Sequence, residues 1–365
     1  MNTLKPILGS YAKEDCQFLM QAIETEFVSV EEKEKRIQSG EAHYSEMINK
    51  ENAPSKEYMA LFNQMLGKYE VRLAKEIMSL ASKMIIARPD YGMENKPIVV
   101  VSLARAGTPI GVLVKRAIEF FGLKAVHYSV SIIRDKGIDT KALDYLTDKY
   151  DAESIAFVDG WTAKGVITKE LETSVDLYNS ANETKISDDL FVISDIGGSA
   201  TYCATMDDYA IPSSILNSTI SGLISRTICS DKTEGGFHGC VKYKHLEEHD
   251  ISNWFVDKIA QNFDYEFANG NATYLCPTIR KEKTKQFVET LMAEQGIDHI
   301  NMIKPGIAEA TRILLRRVPD FIMLKNVKSD DVSHLIQMAK KANVKIIEND
   351  AMPFQACAVI KKVTD

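Results

Sequence analysis

No CxxC pair occurs among the six cysteines, which are scattered at Cys16, Cys203, Cys229, Cys240, Cys276 and Cys357. A disulfide framework or a Cys-rich zinc site therefore finds no support, and a reducing cytoplasm is the expected setting. No run of about eighteen apolar residues is present, which argues against a membrane span. The N-terminus, Met1-Asn2-Thr3-Leu4-Lys5-Pro6, lacks the apolar core of a secretory signal. The GxxxxGK[ST] pattern of a Walker A loop is missing. There is no internal repeat and no low-complexity tract. These absences leave a soluble intracellular globular protein as the expectation.

The chain has 365 residues, 45% of them hydrophobic, enough for two ordinary cores. Its formal charge of −7 is uneven. Residues 271–365 carry fifteen Lys/Arg against eleven Asp/Glu, a net of +4, which leaves −11 on residues 1–270. A mildly basic tail permits an anionic partner without requiring one.

The hydrophobic period changes along the chain. Residues 1–50 read as polar and helical, and 1–95 as a helical N-terminal part. From Ser55, the positions Phe62, Met65, Leu66, Tyr69, Leu73, Ile77, Leu80 and Met84 recur at helical spacing until Pro89. Pro97–Val101 then reads as a buried parallel strand, and Gly107-Thr108-Pro109 as a helix start. Strands are expected at Ala125–Ile133, Ser154–Val158 and Leu190–Ser194, with a polar stretch at Arg134–Asp151 and a helix over Val166–Asn179. Strands alternating with helices predict an α/β fold with a parallel sheet. Asn269-Gly270-Asn271 is the expected linker, dividing a domain of residues 1–268 from a small α/β unit of residues 272–365. In that unit, strands are expected at Ala272–Cys276, His299–Ile303, Phe321–Lys325 and Val344–Glu348. Helices are expected at Lys281–Glu294, Ala308–Arg317 and Ser333–Ala342.

Ligands of open α/β sheets sit beyond the carboxyl ends of the strands. Two turns fall at such ends. In Ser102-Leu103-Ala104-Arg105-Ala106-Gly107, short residues let backbone N–H groups approach an anion, and Arg105 can add a bidentate contact. An ordinary βα turn is the competing account. In Asp159-Gly160-Trp161-Thr162-Ala163-Lys164-Gly165, Asp159 can accept from sugar hydroxyls. Thr162, Ala163 and Gly165 offer a hydroxyl and N–H groups to a phosphate, and Lys164 adds positive charge. Here a capped loop with a surface lysine is the alternative.

The order of these turns resembles the type I phosphoribosyltransferase core. Longer segments resemble more closely a phosphoribosyltransferase-like family found beside tellurium-resistance genes, which also carries the label cysteine protease StiP. They are His43–Met47, Leu103–Pro109, His127–Asp139, Val158–Gly165 and Asp208–Thr227, within residues 9–260. The resemblance implies a phosphoribosyltransferase-like parallel sheet and an enzyme acting on PRPP or a ribose-5-phosphate nucleotide with Mg2+. It implies Asp159, Arg134 and Lys164 as catalytic residues, with Arg134 closing on a mobile loop. Arg105, Ala106, Gly107, Trp161, Thr162, Ala163 and Gly165 would bind substrate. His43, Tyr44, Glu46, Asn217 and Arg226 are candidate base or acceptor contacts. For His43, Tyr44 and Glu46 the alternative is a helix-cap cluster, and for Arg226 an ion pair with Asp207 or Asp208. The usual pair of adjacent acidic residues is reduced here to Asp159, because Gly160 follows it.

The tail Lys304-Pro305-Gly306-Ile307-Ala308-Glu309-Ala310-Thr311-Arg312, with Arg316 and Arg317 beyond, resembles an L7Ae/Pelota-like RNA-binding domain over roughly residues 272–362. That resemblance implies RNA contacts at Lys304, Gly306, Arg312 and Arg316. The protease label would need a thiolate held against a histidine. His238-Gly239-Cys240 is the one close His/Cys pair in the sequence, and no recognised protease signature surrounds it. The sequence thus favours phosphoribosyl transfer, then a nucleotide-sensing RNA-binding regulator, then thiol proteolysis. A homo-oligomer is left open.

Overall fold

A computed structural model describes residues 4–228, 233, 235–269 and 277–362. Its longest helix, Lys56–Ala87, starts where Ser55 accepts a hydrogen bond from the Tyr58 N–H, a side-chain N-cap. Its buried face carries the apolar residues named above, including Phe62, Leu73, Ile77 and Met84. Just past its end, the Arg88 guanidinium donates twice to the Ile155 carbonyl, pinning the helix to the sheet.

Ile98–Leu103 is buried at every position, as a central strand covered on both faces must be. The main sheet has six strands in the order Gln17–Leu19, Ala125–Val130, Ile98–Leu103, Ile155–Thr162, Leu190–Asp195 and Tyr202–Thr205. Every pairing in it is parallel. Helices Lys56–Ala87 and Gly107–Phe120 contribute to one apolar cluster, and Leu171, Val175 and Tyr178 of Val166–Asn182 to another. The expected α/β architecture is therefore present.

Six local readings differ: the strand expected over Ala125–Ile133 stops at Val130, with Ile132–Ile133 in a separate ribbon, and in place of a strand His299–Ile303 a 3-10 turn Ile300–Met302 leads into the strand Ile303–Pro305. The N-terminal stretch supplies the edge strand Gln17–Leu19 as well as the helix Val30–Gln38. The strand expected to end at Val158 runs on to Thr162, so Asp159 and Trp161 are strand residues and the turn is confined to Ala163–Gly165. The polar stretch after Arg134 holds the helix Thr140–Thr147, whose start is capped by the Asp139 carboxylate accepting from the N–H groups of Lys141 and Ala142. Finally, Ala356–Ile360 is a buried strand hidden by its small residues.

The second sheet runs Ile303–Pro305, Ala356–Ile360, Pro319–Leu324, Lys345–Glu348. Helices Pro277–Gln295, Ile307–Arg316 and Ser333–Lys341 belong to the same stretch of chain. The expected strand Ala272–Cys276 and the residues Gly270 and Asn271 of the linker lie outside the described residues. The large apolar cluster is continuous between the two sheets: Ile307, Ile313 and Leu335 belong to it together with Tyr69, Leu73 and Ile215. Among the described residues no helix is long and apolar enough to cross a membrane.

Candidate functional site

The first turn, at the carboxyl end of the main sheet, packs against the strand Ile155–Thr162 that leads to the second. A Cβ at Gly107 would lie 2.6 Å from the Val158 carbonyl oxygen and 3.1 Å from the Asp159 Cα, so only glycine allows this approach. Asp159 Oδ1 accepts from the Gly160 N–H at 2.7 Å. Burial pushes its carboxyl up to about 7, with Glu309 pushing the same way and the Gly160 N–H and Arg312 opposing.

Around Asp159 the C-terminal unit closes in. Trp161 Nε1 donates to Glu309 Oε1 at 3.3 Å, and the Arg312 guanidinium lies 5.2 Å from the Trp161 ring centroid while pairing with Glu309 at 3.1 Å. Burial works against the Glu309 charge, but Arg312 and Lys304 outweigh it and hold the carboxyl below its usual range. Lys164 donates to the carbonyls of Ile300 and Ile303 at 2.7 and 2.8 Å. Burial, then the nearby charges of Lys304 and Arg134, pushes its ammonium down to about 7. Lys164 thus brackets the two units, with two of its three N–H groups given to carbonyls of the second.

Thr162 Oγ1 shares a hydrogen bond with Ser199 at 3.1 Å, and Gly165 (φ 69°) starts the following helix. Ala163 is held against Gly197, where a Cβ would sit 1.5 Å from the Ala163 carbonyl oxygen. The loop carrying Gly197 is ordered by Asp195, whose carboxylate accepts from the N–H groups of Gly197, Gly198, Ser199 and Ala200. Sequence reading missed this loop, although Asp-x-Gly-Gly at a strand end is its signal.

A second group of expected contacts converges on Tyr44. The guanidinium groups of Arg134 and Arg226 lie 5.0 and 5.4 Å from its ring centroid, and the His43 ring is 4.4 Å away. Tyr44 Oη accepts from the Arg134 N–H. Arg134 sits at the turn of a two-stranded ribbon, Ile132–Ile133 paired with Gly137–Ile138. Glu46 accepts from the His43 N–H and lies 3.5 Å from Lys136. Arg226 donates to the Tyr44 and Met47 carbonyls. The ion pair with Asp207 or Asp208 is not formed: Asp207 pairs with Arg72, and Asp208 accepts from backbone N–H groups. Arg105 donates to Glu51 and Asn217 at 2.8 and 2.7 Å. Arg105, Asn217 and Arg226 line a cavity of about 660 Å³, with Tyr58, Tyr243 and Leu315 among its other walls. Glu51 and Glu309 were not singled out in the sequence, since each is an isolated acid whose partners lie far along the chain.

Three of the four residues expected to face RNA are turned toward the first unit. Lys304 is half-buried, Gly306 packs against Ile196 and Asp208, and Arg312 covers Trp161. The Arg316 side chain lies outside the described residues. The magnesium implied with PRPP would be carried by that ligand's phosphates, with no protein ligand expected for it. At this centre burial pushes Asp159 toward the neutral form, with Arg312 the nearby cation that opposes it. Among the described residues no group of three or more His, Cys, Asp and Glu could hold a metal ion.

The cysteines divide by exposure. Cys16, Cys240 and Cys357 are buried, and burial pushes the thiols of Cys240 and Cys357 up to about 12. His238 Nδ1 shares a hydrogen bond with Ser131, and the neighbouring Cys240 thiol is buried. Cys203 is partly buried on the edge strand Tyr202–Thr205, where Lys83 Nζ donates to its carbonyl at 2.5 Å. Cys229 and Cys276 lie outside the described residues.

The family model described as tellurite-like stress resistance cysteine protease StiP matches residues 9–260. The chain belongs to the StiP family. A protein of Acinetobacter baylyi named cysteine protease StiP is 41% identical over 373 residues, covering 97% of this chain and 94% of that one. Residues 282–362 match the PELOTA RNA binding domain. Among solved structures, a hypoxanthine phosphoribosyltransferase of Trypanosoma cruzi aligns at 13% identity and a TM-score of 0.28, covering 37% of this chain and 76% of that one. The same organism's enzyme in complex with the product IMP aligns at 14% and 0.30, covering 40% and 77%. The expectation of phosphoribosyl transfer is corrected here. The family model and a relative matched over nearly the whole chain are both named for a cysteine protease.

Proposed function

We propose that this StiP-family chain is a thiol-dependent peptidase. The observation that carries the reading is the 41% identity, over 97% of the chain, to a protein named as a cysteine protease. Cys203 is the described thiol that best suits the role, being only partly buried where the other three are buried, and on an edge strand. Burial pushes it up to about 11, with Asp195 raising it further and Lys83 lowering it, so at neutral pH it is a thiol that needs a base. Burial in turn lowers the Lys83 ammonium, which brings an amine toward the range of a general base beside that thiol. The four described cysteines are free, which supports a reducing, cytoplasmic setting.

The test is peptide hydrolysis by the purified chain, assayed with an unstructured protein substrate before and after iodoacetamide. Cys203→Ser is expected to lower turnover at least a hundredfold, and Lys83→Met to flatten the pH profile while leaving Cys203 alkylable. Hydrolysis that survives both alkylation and Cys203→Ser would remove Cys203 from the mechanism. No thiol-dependent hydrolysis at all would remove the peptidase reading.

A second reading, an RNA partner for the C-terminal unit, is favoured by the match of residues 282–362 to an RNA-binding domain. It predicts binding of an RNA stem with an unpaired loop that weakens steeply as salt rises. An absence of binding by the full chain even at low salt would overturn it.

A further inference from the structure

The helix Ile307–Arg316 begins inside the protein. Its first N–H, that of Ile307, donates to Asp208 Oδ1 at 2.8 Å. The other oxygen of the same carboxylate accepts from Gln355 N–H at 2.8 Å and Ala356 N–H at 3.3 Å. Asp208 is buried, and it comes from the first unit while all three donors come from the second. Backbone N–H groups converging at a helix N-terminus form a seat for an anion, and here a carboxylate of the chain itself fills it. Gly306 (φ 97°) makes the contact close: a Cβ there would lie 2.8 Å from Ile196 Cδ1 and 3.4 Å from Asp208 Oδ1.

The rest of the face is covered in the same contact. Ile307 is fully buried, Arg312 lies over Trp161, and Lys304 is half-buried close to Glu309 and Arg134. Arg280, on the neighbouring helix, donates to the Ile196 carbonyl at 2.7 Å. Three of the basic or glycine positions that would meet an RNA backbone are thus turned into the interface.

We infer that this docking is autoinhibitory: Asp208 latches the C-terminal unit with its nucleic-acid face hidden, and RNA binds only after that latch opens. The inference rests on the RNA reading above. RNA and the first unit then compete for one surface, so the apparent RNA affinity is the intrinsic affinity reduced by the undocked fraction. Opening also removes Glu309 and Arg312 from beside Asp159, so RNA binding uncovers the end of the main sheet.

The experiment uses the full chain and a fluorescein-labelled RNA stem with an unpaired loop. Anisotropy is read for the wild type, Asp208→Ala and Asp208→Asn. The asparagine variant keeps the shape but turns an NH2 group toward one set of N–H donors, and it guards against an alanine variant that fails to fold. Both variants are expected to bind at least tenfold more tightly than the wild type. Hydrogen exchange of the wild type is expected to speed up at peptides containing Ile307, Gln355 and Ala356 when RNA is added. Equal affinities, with those amides still protected in the RNA complex, would overturn the latch and leave RNA binding intact. No binding by any of the three proteins would overturn the RNA reading and the latch with it.

Discussion

Asp159 is a single residue whose charge state can be followed through stability. In the fold its carboxyl titrates at about 7 instead of 3.8, because burial disfavours the anion. Below pH 4 the residue is protonated in both folded and unfolded chains and has no effect. As pH rises from about 4 to 7 the unfolded chain releases its proton first, so this group progressively destabilises the fold, and above 7 the penalty is constant. A shift of this size corresponds to roughly 2–4 kcal/mol. Asp159→Asn keeps an oxygen for the Gly160 N–H and removes the charge. Urea unfolding is therefore expected to give the variant and the wild type equal stability near pH 4 and the variant a clear advantage at pH 8. An advantage that does not vary with pH would show that Asp159 is neutralised some other way.

At the scale of elements, the loop after the Leu190–Asp195 strand decides whether the turn before Val166 can form. Asp195 accepts four N–H groups of that loop, and Gly197 lies where any side chain would strike the Ala163 backbone. Gly197→Ala must displace one of two backbone segments, so a loss of about 3 kcal/mol or more is expected in denaturant titration. A variant as stable as the wild type would mean the loop moves freely. Elements of this kind mark the limit of what the sequence discloses. Helix Lys56–Ala87 and strand Ile98–Leu103 were legible because their apolar periods, a capping serine and Pro89 all agree. The Thr140–Thr147 helix was not, because eight residues give too few turns to stand out from a polar stretch. The sequence also brought Tyr44, Arg134, Arg226, Arg105 and Asn217 forward as candidate contacts, and the fold does gather them. What it could not disclose is pairing across long separations. Trp161 meets Glu309, Lys164 meets Ile300, and Arg105 meets Glu51, each with partners set by the tertiary fold and not by spacing.

For the whole molecule, the question is what holds two sheets together. Two contributions compete for that role. One is the apolar seam, where Ile307 and Ile313 share a cluster with Tyr69 and Ile215. The other is polar: the Asp208 seat, the Lys164 bracket, and Asp331 bonded to Lys68 and Tyr69 at 2.7 and 2.5 Å. The Lys68–Asp331 pair is more than one-third exposed on both sides and contributes little in salt. Asp208 is different, since removing it leaves three buried N–H groups without an acceptor, at a cost of about 1–3 kcal/mol each if no water reaches them. The seam alone would make the chain unfold as one body, whereas a latch makes docking separable from folding. Trp161 reports docking directly, because its ring is covered by Arg312; the other tryptophan, Trp254, can be replaced by phenylalanine. In that background the wild-type latch is expected to give coincident urea transitions by tryptophan emission and far-ultraviolet dichroism. Asp208→Ala is expected to shift the emission transition to lower urea while the dichroism midpoint moves less. Coincident transitions in both proteins would assign the docking to the seam, and Asp208 would then be an ordinary buried cap.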